Sequence, residues 1–435
     1  MTHLEKHAVK LSIMLAATLV ICFASVVSAA TTDIGYVANQ NDGTISVINL
    51  SSSTVTQTIS VTTPSEGALT GLTVTPDNKK LYVASFISDT VSVINLETSQ
   101  ITNVITVGDG PNNVAITPDG AKAFVTNNNS NSISVIDTNT QAVVGTIVTD
   151  DAPYGMSFSM NGSKLYVSQL YRQDSAASRR VLVINTATNQ IISSIYLPDY
   201  SRAQEIAITP NGQYAYVAVQ DSQQGLMQLD LTSDTFIQNI SGVSPNPKGV
   251  SISTTGDKAY VTTEGDTVAI VDLITNQVTG QFSNFSRSQG IDISGTGNTL
   301  YVTNGGNTSN PQFANTLASV NISTGQTSYI PVGNFPGSIK VVTIAPALTP
   351  QQQTTQLINV VTNILVPNNT LNSYLGNLNN ANAFITQNKN SQAIKQLEVF
   401  IIKVEHDFSK NELTLQQRNE LINNTNSIIS LLENI

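Results

Sequence analysis

The chain has 435 residues and a formal net charge of −10, and only 11% of its residues are charged, against about 25% in a typical soluble domain. Neutral polar residues replace the missing charges, which favours a protein that works outside the cell. Because phosphate contacts need clustered Lys or Arg, an acidic chain without an evident basic stripe argues against nucleic-acid partners.

The N-terminus has the pattern of a secretory signal peptide. Basic residues precede an apolar run over 11–27, and small residues suited to cleavage end at Ala30. We predict that 1–30 is a signal peptide and that the mature chain has no transmembrane span. A membrane anchor is the alternative. Cleavage would also remove Cys22, the only cysteine, so we expect no disulfide and no thiol chemistry.

After this segment a short text recurs, consisting of Tyr or Phe, then Val, then two small or polar residues. Its seven copies begin at Tyr36, Tyr82, Phe124, Tyr166, Tyr216, Tyr260 and Tyr301. A period of roughly 40–50 residues with several short alternating strands per copy is typical of propeller blades. Each full copy reads as four strands, a to d, with Pro, Asp, Asn or Gly in the a–b turn, where a left-handed position is needed.

The first copy lacks strand a, and a suitable strand follows the seventh copy at Ile339–Ile344. We predict that this strand completes blade 1 and closes the ring, because an open ring would expose unpaired strand edges. The predicted fold class is therefore all-β, a seven-bladed β-propeller over 31–346 closed by a C-terminal strand.

Beyond a Pro-containing linker the apolar period changes from 2 to 3.6. Four amphipathic stripes lie between Leu357 and Leu432, and the fourth includes Arg418. They predict a small α-helical bundle over 347–435. His406 lies there beside two acidic residues, and we interpret it as an exposed side chain rather than a metal ligand.

The repeats resemble the YVTN-family β-propeller from about Asp33 to Ala345, on the recurring text, the a–b turn and the strand-c text Ser134–Thr138. The segment from Phe400 to Leu432 is similar to FIMAH-type helical modules of secreted bacterial enzymes. The first resemblance implies a secreted or surface protein whose propeller is similar to those of lactonases and of haem- or quinone-dependent periplasmic enzymes. Fold alone does not select among these functions.

Loop lengths distinguish one face of the predicted disc. The a–b turns keep nearly one length, whereas the b–c and d–a loops vary, with insertions at Gln169–Arg180 and Asn304–Thr316. Loops on a rigid scaffold commonly carry function, so we predict the binding surface on that face. The alternatives are drift in unconstrained loops and solvated surface charges. The candidate ligand-binding residues are Tyr154, Arg202, Glu205, Lys248, Arg287, Gln289 and Asp292.

Asp292 differs in type from its equivalents in the other inner strands. The aligned residues are Thr73, Ala115, Ser157, Ala207 and Ser251. A carboxylate near the axis must be hydrogen-bonded or have a raised pKa. It belongs either to a satisfied structural network or to a ligand site.

The residue types that the predicted propeller lacks limit the catalytic and metal sites it can contain. The histidines are His3, His7 and His406, so the predicted propeller has none, and it has no Cys or Trp. A His-ligated haem, a His-bound zinc and a Ser-His-Asp triad are therefore excluded there. We expect no catalytic residue, metal or cofactor.

The preferred function is a non-enzymatic secreted, periplasmic or cell-surface propeller that binds a protein, glycan, cell-envelope component or small polar ligand. A lactonase-like hydrolase and a structural cell-surface repeat protein are the alternatives. The hydrolase would require several acidic and basic groups around one pocket. The residues expected to converge in that case are Arg202, Glu205, Arg287 and Asp292.

Overall fold

The computed structural model describes residues 31–62, 68–170, 180–198, 202–220, 225–243, 246–306, 310–344, 349–363, 368–410 and 413–433. The predicted signal peptide, 1–30, lies outside the described residues. The described chain divides into a compact unit of strands that ends at Ile344 and a compact unit of helices after it.

The first unit is a seven-bladed β-propeller, as predicted. Its described strands form seven antiparallel sheets of four strands each. Blade 1 consists of β28 (Pro336–Ile344), β1 (Thr32–Asn39), β2 (Thr44–Asn49) and β3 (Thr54–Ser60). Blade 2 consists of β4 (Leu69–Val74), β5 (Lys80–Ser85), β6 (Thr90–Asn95) and β7 (Gln100–Thr106). Blade 3 consists of β8 (Pro111–Ile116), β9 (Lys122–Asn127), β10 (Ser132–Asp137) and β11 (Ala142–Val148).

The remaining blades follow the chain in order. Blade 4 consists of β12 (Ala152–Phe158), β13 (Lys164–Leu170), β14 (Arg180–Asn185) and β15 (Gln190–Tyr196). Blade 5 consists of β16 (Arg202–Ile208), β17 (Tyr214–Gln220), β18 (Gly225–Asp230) and β19 (Thr235–Ile240). Blade 6 consists of β20 (Pro247–Ile252), β21 (Lys258–Thr263), β22 (Val268–Asp272) and β23 (Gln277–Phe282). Blade 7 consists of β24 (Ser288–Ile293), β25 (Thr299–Asn304), β26 (Thr316–Asn321) and β27 (Thr327–Pro331).

The closing strand lies where the sequence predicted it. β28 pairs antiparallel with β1 over seven Cα partners, and Ile339, Val341 and Val342 are buried. Strand edges left unpaired would invite aggregation. The ladder between β1 and β28 removes that liability by joining the last strand of the propeller to the first.

Apolar packing lies between the blades as well as within them. Each junction between neighbouring blades has its own apolar cluster, which draws side chains from both blades. The first residue of the recurring text is buried in these clusters, for example Tyr82, Phe124 and Tyr166. Burial of an aromatic side chain removes a large area from water, which gives this repeated position a structural role.

The third residue of the recurring text ties adjacent inner strands together. Thr126 Oγ1 accepts from Asn113 N at 3.1 Å and donates to Tyr154 O of the next blade at 2.9 Å. Ser168, Thr262 and Thr303 make the equivalent pair of contacts in blades 4, 6 and 7. These hydroxyls fix the backbone of the inner strands where they enter the central channel.

The acidic a–b turns are self-contained. Thr75 donates to Asp77 and Thr117 donates to Asp119, each at 2.6 Å. The left-handed position falls on Asn78 and Gly120, with φ of 58° and 74°, as the turn chemistry predicts. No group of three or more His, Cys, Asp or Glu that could hold a metal occurs among the described residues.

The second unit consists of four helices, α1 (Pro350–Thr362), α2 (Asn368–Thr386), α3 (Asn390–Ser409) and α4 (Leu415–Glu433). α1 begins with a capping box between Thr349 and Gln352, which satisfies free N–H groups at the helix start. The apolar stripes meet in one core. Its largest buried members are Leu357, Tyr374, Leu378, Leu397, Phe400, Leu421 and Ile428.

Two polar positions of this bundle have clear structural roles. Arg418, on the fourth stripe, donates from Nε to Glu405 Oε2 at 2.8 Å and lies 5.4 Å from the Phe408 ring centroid. His406 is exposed, at 60% of its side-chain surface. The predicted stripe residues Ile364 and Leu365 lie outside the described residues. No helix within the described ranges is long and apolar enough to cross a membrane.

Candidate ligand site in the central channel

A cavity of about 520 Å³ opens along the propeller axis. Inner strands of all seven blades line it, and Gln40 and Phe86 of two b–c loops border it. A rigid ring therefore surrounds a concave space on the face that carries the b–c and d–a loops, and such concavities are the usual place for a small ligand.

Five of the seven candidate residues line this cavity, and the two arginines do not. The lining includes Tyr154, Glu205, Lys248, Gln289 and Asp292.

Both arginines are exposed. Arg202 is the first residue of β16. Arg287 has φ of 49°, and its guanidinium carbon lies 4.9 Å from the Phe335 ring centroid. The backbone of Arg287 turns its side chain onto an aromatic neighbour, and the expected convergence of Arg202, Glu205, Arg287 and Asp292 around one pocket is not observed.

Glu205 is the chemically unusual group of the cavity. Its side chain is half-buried, and Asn113 Nδ2 donates to Oε1 and Oε2 at 3.2 and 3.3 Å. Burial raises the pKa of Glu205 to about 7, although the amide of Asn113 opposes the shift. Near neutral pH the group is thus poised between its acid and base forms.

Tyr154 lies beside this carboxylate. Its pKa is raised, first by burial and then by the negative charge of Glu205, while the Asn112 side chain opposes the shift through a hydrogen bond. The phenol therefore stays protonated and keeps its O–H available. Thr126, which binds Tyr154 O, holds the backbone of this position.

Gly155 makes the bridge between Asn113 and Glu205 possible. The two bonded residues belong to blades 3 and 5, and Gly155 lies on the blade between them. A Cβ at this glycine would lie 2.5 Å from Gln204 O and 3.1 Å from Glu205 Oε2. Only a residue without a side chain allows the strands of blades 4 and 5 to approach this closely.

Asp292 has a different environment, at the junction where the ring closes. Lys340 Nζ lies 3.2 Å from Asp292 Oδ2, and Val341 N donates to the same oxygen at 2.8 Å. The charge of Asp292 is the main cause that raises the pKa of Lys340. Of the two interpretations of Asp292, the contacts fit the satisfied structural network.

Lys248 is also paired. Its Nζ lies 3.3 Å from Glu264 Oε1. Burial lowers the pKa of Lys248, and the charge of Glu264 opposes the shift. Each of the two cavity-lining lysines thus has an acidic neighbour of its own.

Sequence reasoning missed six polar residues of the lining, which are Gln40, Thr70, Asn112, Asn113, Ser338 and Lys340. A signal for Lys340 was present, because the register places it opposite Tyr36 as Asp292 is placed opposite Tyr301. Extending the strand alignment to the closing strand would have shown a cation next to the carboxylate. Most of the insertion at Gln169–Arg180, and 307–309 of the second insertion, lie outside the described residues.

A comparison of the sequence with protein families supports the fold. The model of the lactonase family, a seven-bladed β-propeller, matches residues 25–155. No curated protein sequence matches the chain.

Solved structures extend the likeness to the whole propeller. A protein of unknown function from Desulfotomaculum acetoxidans has 18% identity and a TM-score of 0.60, over 72% of this chain and 99% of that one. A Bacteroides uniformis protein provisionally described as a 6-phosphogluconolactonase has 16% identity and a TM-score of 0.58, over the same shares. Hydrazine synthase from Kuenenia stuttgartiensis has 20% identity and a TM-score of 0.57, over 68% and 92%. At these identities the likeness shows the fold alone.

Proposed function

We propose that this protein is a non-enzymatic propeller that binds a small polar ligand in its central channel. The single observation that carries the proposal is Glu205, a half-buried carboxylate that faces the cavity and has Asn113 as its hydrogen-bond donor. Burying such a group costs free energy, and a ligand that completes its hydrogen bonds would offset part of that cost. Tyr154, Lys248 and Gln289 border the same space and supply further polar contacts.

The proposal is tested by thermal unfolding against a panel of polyols, sugars, amino alcohols and lactones. A ligand that binds only the folded state raises the midpoint as its concentration exceeds the dissociation constant. We expect at least one class to raise it in the wild type and to lose the effect in Glu205→Gln. The matched control is Glu97→Gln, the same change at an exposed turn residue. A panel without any shift that depends on Glu205 would contradict the proposal.

Lactone hydrolysis is the second candidate function. It is supported by the lactonase family match over 25–155 and by the pKa of Glu205 near 7, since a general base works best near the operating pH. In this scheme Glu205 would take a proton from water as the water attacks the lactone carbonyl. The ring C–O bond would then break, and the leaving alkoxide would take the proton from Glu205 to give the hydroxy acid. Acid release in a pH-stat should then be abolished in Glu205→Gln. Binding without acid release would leave the first candidate alone.

The cellular location and the two family resemblances are also proposals. The segment 1–30 supports export to the periplasm, cell surface or medium, and the recurring text supports a YVTN-type repeat. The text from Phe400 to Leu432 supports a FIMAH-type module that docks the propeller to a protein or cell-envelope partner. Fractionation with N-terminal sequencing tests export, with Thr31 as the expected first residue. An uncleaved chain in the cytosol would contradict it.

A further inference from the structure

Four charged residues line the channel, two acidic and two basic, so their charges cancel in number, but they are not evenly paired. Lys248 lies against Glu264 and Lys340 lies against Asp292, at 3.3 and 3.2 Å. Each of these pairs is neutral when both members are ionised. Glu205 is the cavity-lining carboxylate left over, and its contact with Asn113 is a neutral one.

The surroundings of Glu205 supply no compensating cation within the described part of the chain. Neither lysine is a cause of its shifted pKa, which burial raises against the opposing hydrogen bond from Asn113. Tyr154 faces it as a neutral phenol. Arg287 is exposed and lies over Phe335 rather than in the cavity lining. Glu205 is therefore the lining carboxylate that has no cation beside it within the described part of the chain.

The hydrogen-bonding capacity of Glu205 points the same way. An ionised carboxylate offers about four lone-pair sites, and one N–H of Asn113 is shared between its two oxygens. No other donor to these oxygens occurs among the described residues, so a ligand in the cavity can supply one. An ammonium group offers three donors and a positive charge, and hydrogen bonds between charged groups are stronger than neutral ones.

We propose that the channel ligand carries a primary ammonium group, which binds the carboxylate of Glu205. This inference rests on the proposed function, because it names the chemical class of the ligand for the same cavity. A neutral ligand would leave the charge of this carboxylate unpaired, and the carboxylate would repel an anionic ligand such as a phosphate ester. The ammonium is preferred to a bare metal ion because no metal-ligating cluster occurs among the described residues.

The test uses three small probes of similar size and different charge on the full-length protein. These are ethanolamine, ethylene glycol and glycolate, which are cationic, neutral and anionic at pH 8. Thermal unfolding and calorimetry should detect binding of ethanolamine, with weaker or no binding of the other two. The response should disappear in Glu205→Gln and persist in Glu97→Gln.

The pH dependence in the wild type supplies a readout that needs no variant. Because burial raises the pKa of Glu205 to about 7, the affinity for ethanolamine should fall as Glu205 becomes protonated, by up to about tenfold between pH 8 and pH 6. Affinity that stays constant from pH 8 down to about pH 4, below the ordinary pKa of a glutamate, would overturn the inference. Protection by potassium chloride equal to that by ethanolamine would overturn the ammonium assignment.

The outcomes distinguish a failure of the ammonium assignment from a failure of the proposed ligand-binding function. If ethylene glycol or glycolate binds as well as ethanolamine and still requires Glu205, the channel is a ligand site but the charge assignment is wrong. If none of the probes and none of the compounds in the wider panel requires Glu205, both proposals are wrong.

Discussion

Two carboxylates on inner strands line the same channel and differ in whether a cation lies beside them. Asp292 lies at the closing junction, where Lys340 and the Val341 N–H reach it. Glu205 lies on β16 of blade 5 and accepts hydrogen bonds from the Asn113 amide. The nearby lining cation, Lys248 of blade 6, is paired with Glu264 instead. The comparison teaches that an unusual residue in a repeat can belong to a structural junction, here the one between blades 7 and 1, where the ring closes. The functional candidate is the carboxylate whose charge is left uncompensated.

The largest expected effect comes from removing the closing junction itself. Deletion of Pro336–Ile344 takes away Lys340 and exposes the edge of β1, which this strand now pairs. We expect loss of the cooperative fold and aggregation. Circular dichroism and size-exclusion chromatography measure this outcome. A monomeric protein with unchanged melting would contradict the closure.

The second effect concerns the space that Glu205 occupies. Gly155→Ala places a Cβ about 2.5 Å from Gln204 O, so the strands of blades 4 and 5 must separate. We expect a loss of about 3 kcal/mol in unfolding free energy. The control is Gly145→Ala, where the nearest atom is 3.7 Å away. Equal stability of the two variants in a denaturant titration would argue against tight packing at the channel.

The third effect is the pH dependence that distinguishes Glu205 from a satisfied carboxylate. Its pKa is about 7 in the folded protein and near 4.5 ordinarily. Its stabilising contribution is therefore complete below pH 4.5, falls as pH rises through 7 and is lost above that. We expect Glu205→Gln to flatten this part of the profile and to gain about 2 kcal/mol at pH 8. Chemical denaturation between pH 5 and 8 measures both, and a profile unchanged by the substitution would refute the assignment.

The fourth effect concerns the Thr126 hydroxyl, which bridges the backbones of two residues at the ligand site, Asn113 and Tyr154. Thr126→Val leaves Asn113 N and Tyr154 O without their bridging group. An unsatisfied buried group costs about 1–2 kcal/mol, and the displaced backbone should also weaken ligand binding. Thr146→Val, at an exposed outer-strand residue, is the matched control. If both variants unfold at the same denaturant concentration, the bridge has no energetic role.

The smallest effect is expected at the compensated carboxylate. Lys340 keeps 42% of its side-chain surface exposed, so solvent screens its attraction to Asp292. Asp292→Ala should cost about 1 kcal/mol, and a double-mutant cycle with Lys340→Ala should give a coupling of roughly 0.5–1 kcal/mol. Ligand binding should change less than in Glu205→Gln. Complete loss of binding in Asp292→Ala would place the ligand site at the closing junction between blades 7 and 1 instead.

The sequence by itself determined the blades, their order and the closure. Strand alternation, turn residues and the recurring text are local signals, and the return of a strand at Ile339–Ile344 followed from counting them. The four helices were equally readable because their period differs from that of the strands.

Only the tertiary structure decided which charges meet. Asn113 and Glu205 are 92 positions apart and belong to non-adjacent blades, and Asp292 meets a lysine of the closing strand. The two arginines expected in the pocket are instead exposed. The physical reason is that residues far apart in sequence line one channel, where blade geometry sets the contacts and burial sets the pKa of each group. A repeat pattern fixes where a residue lies in its blade, but it does not fix which charges lie across the axis.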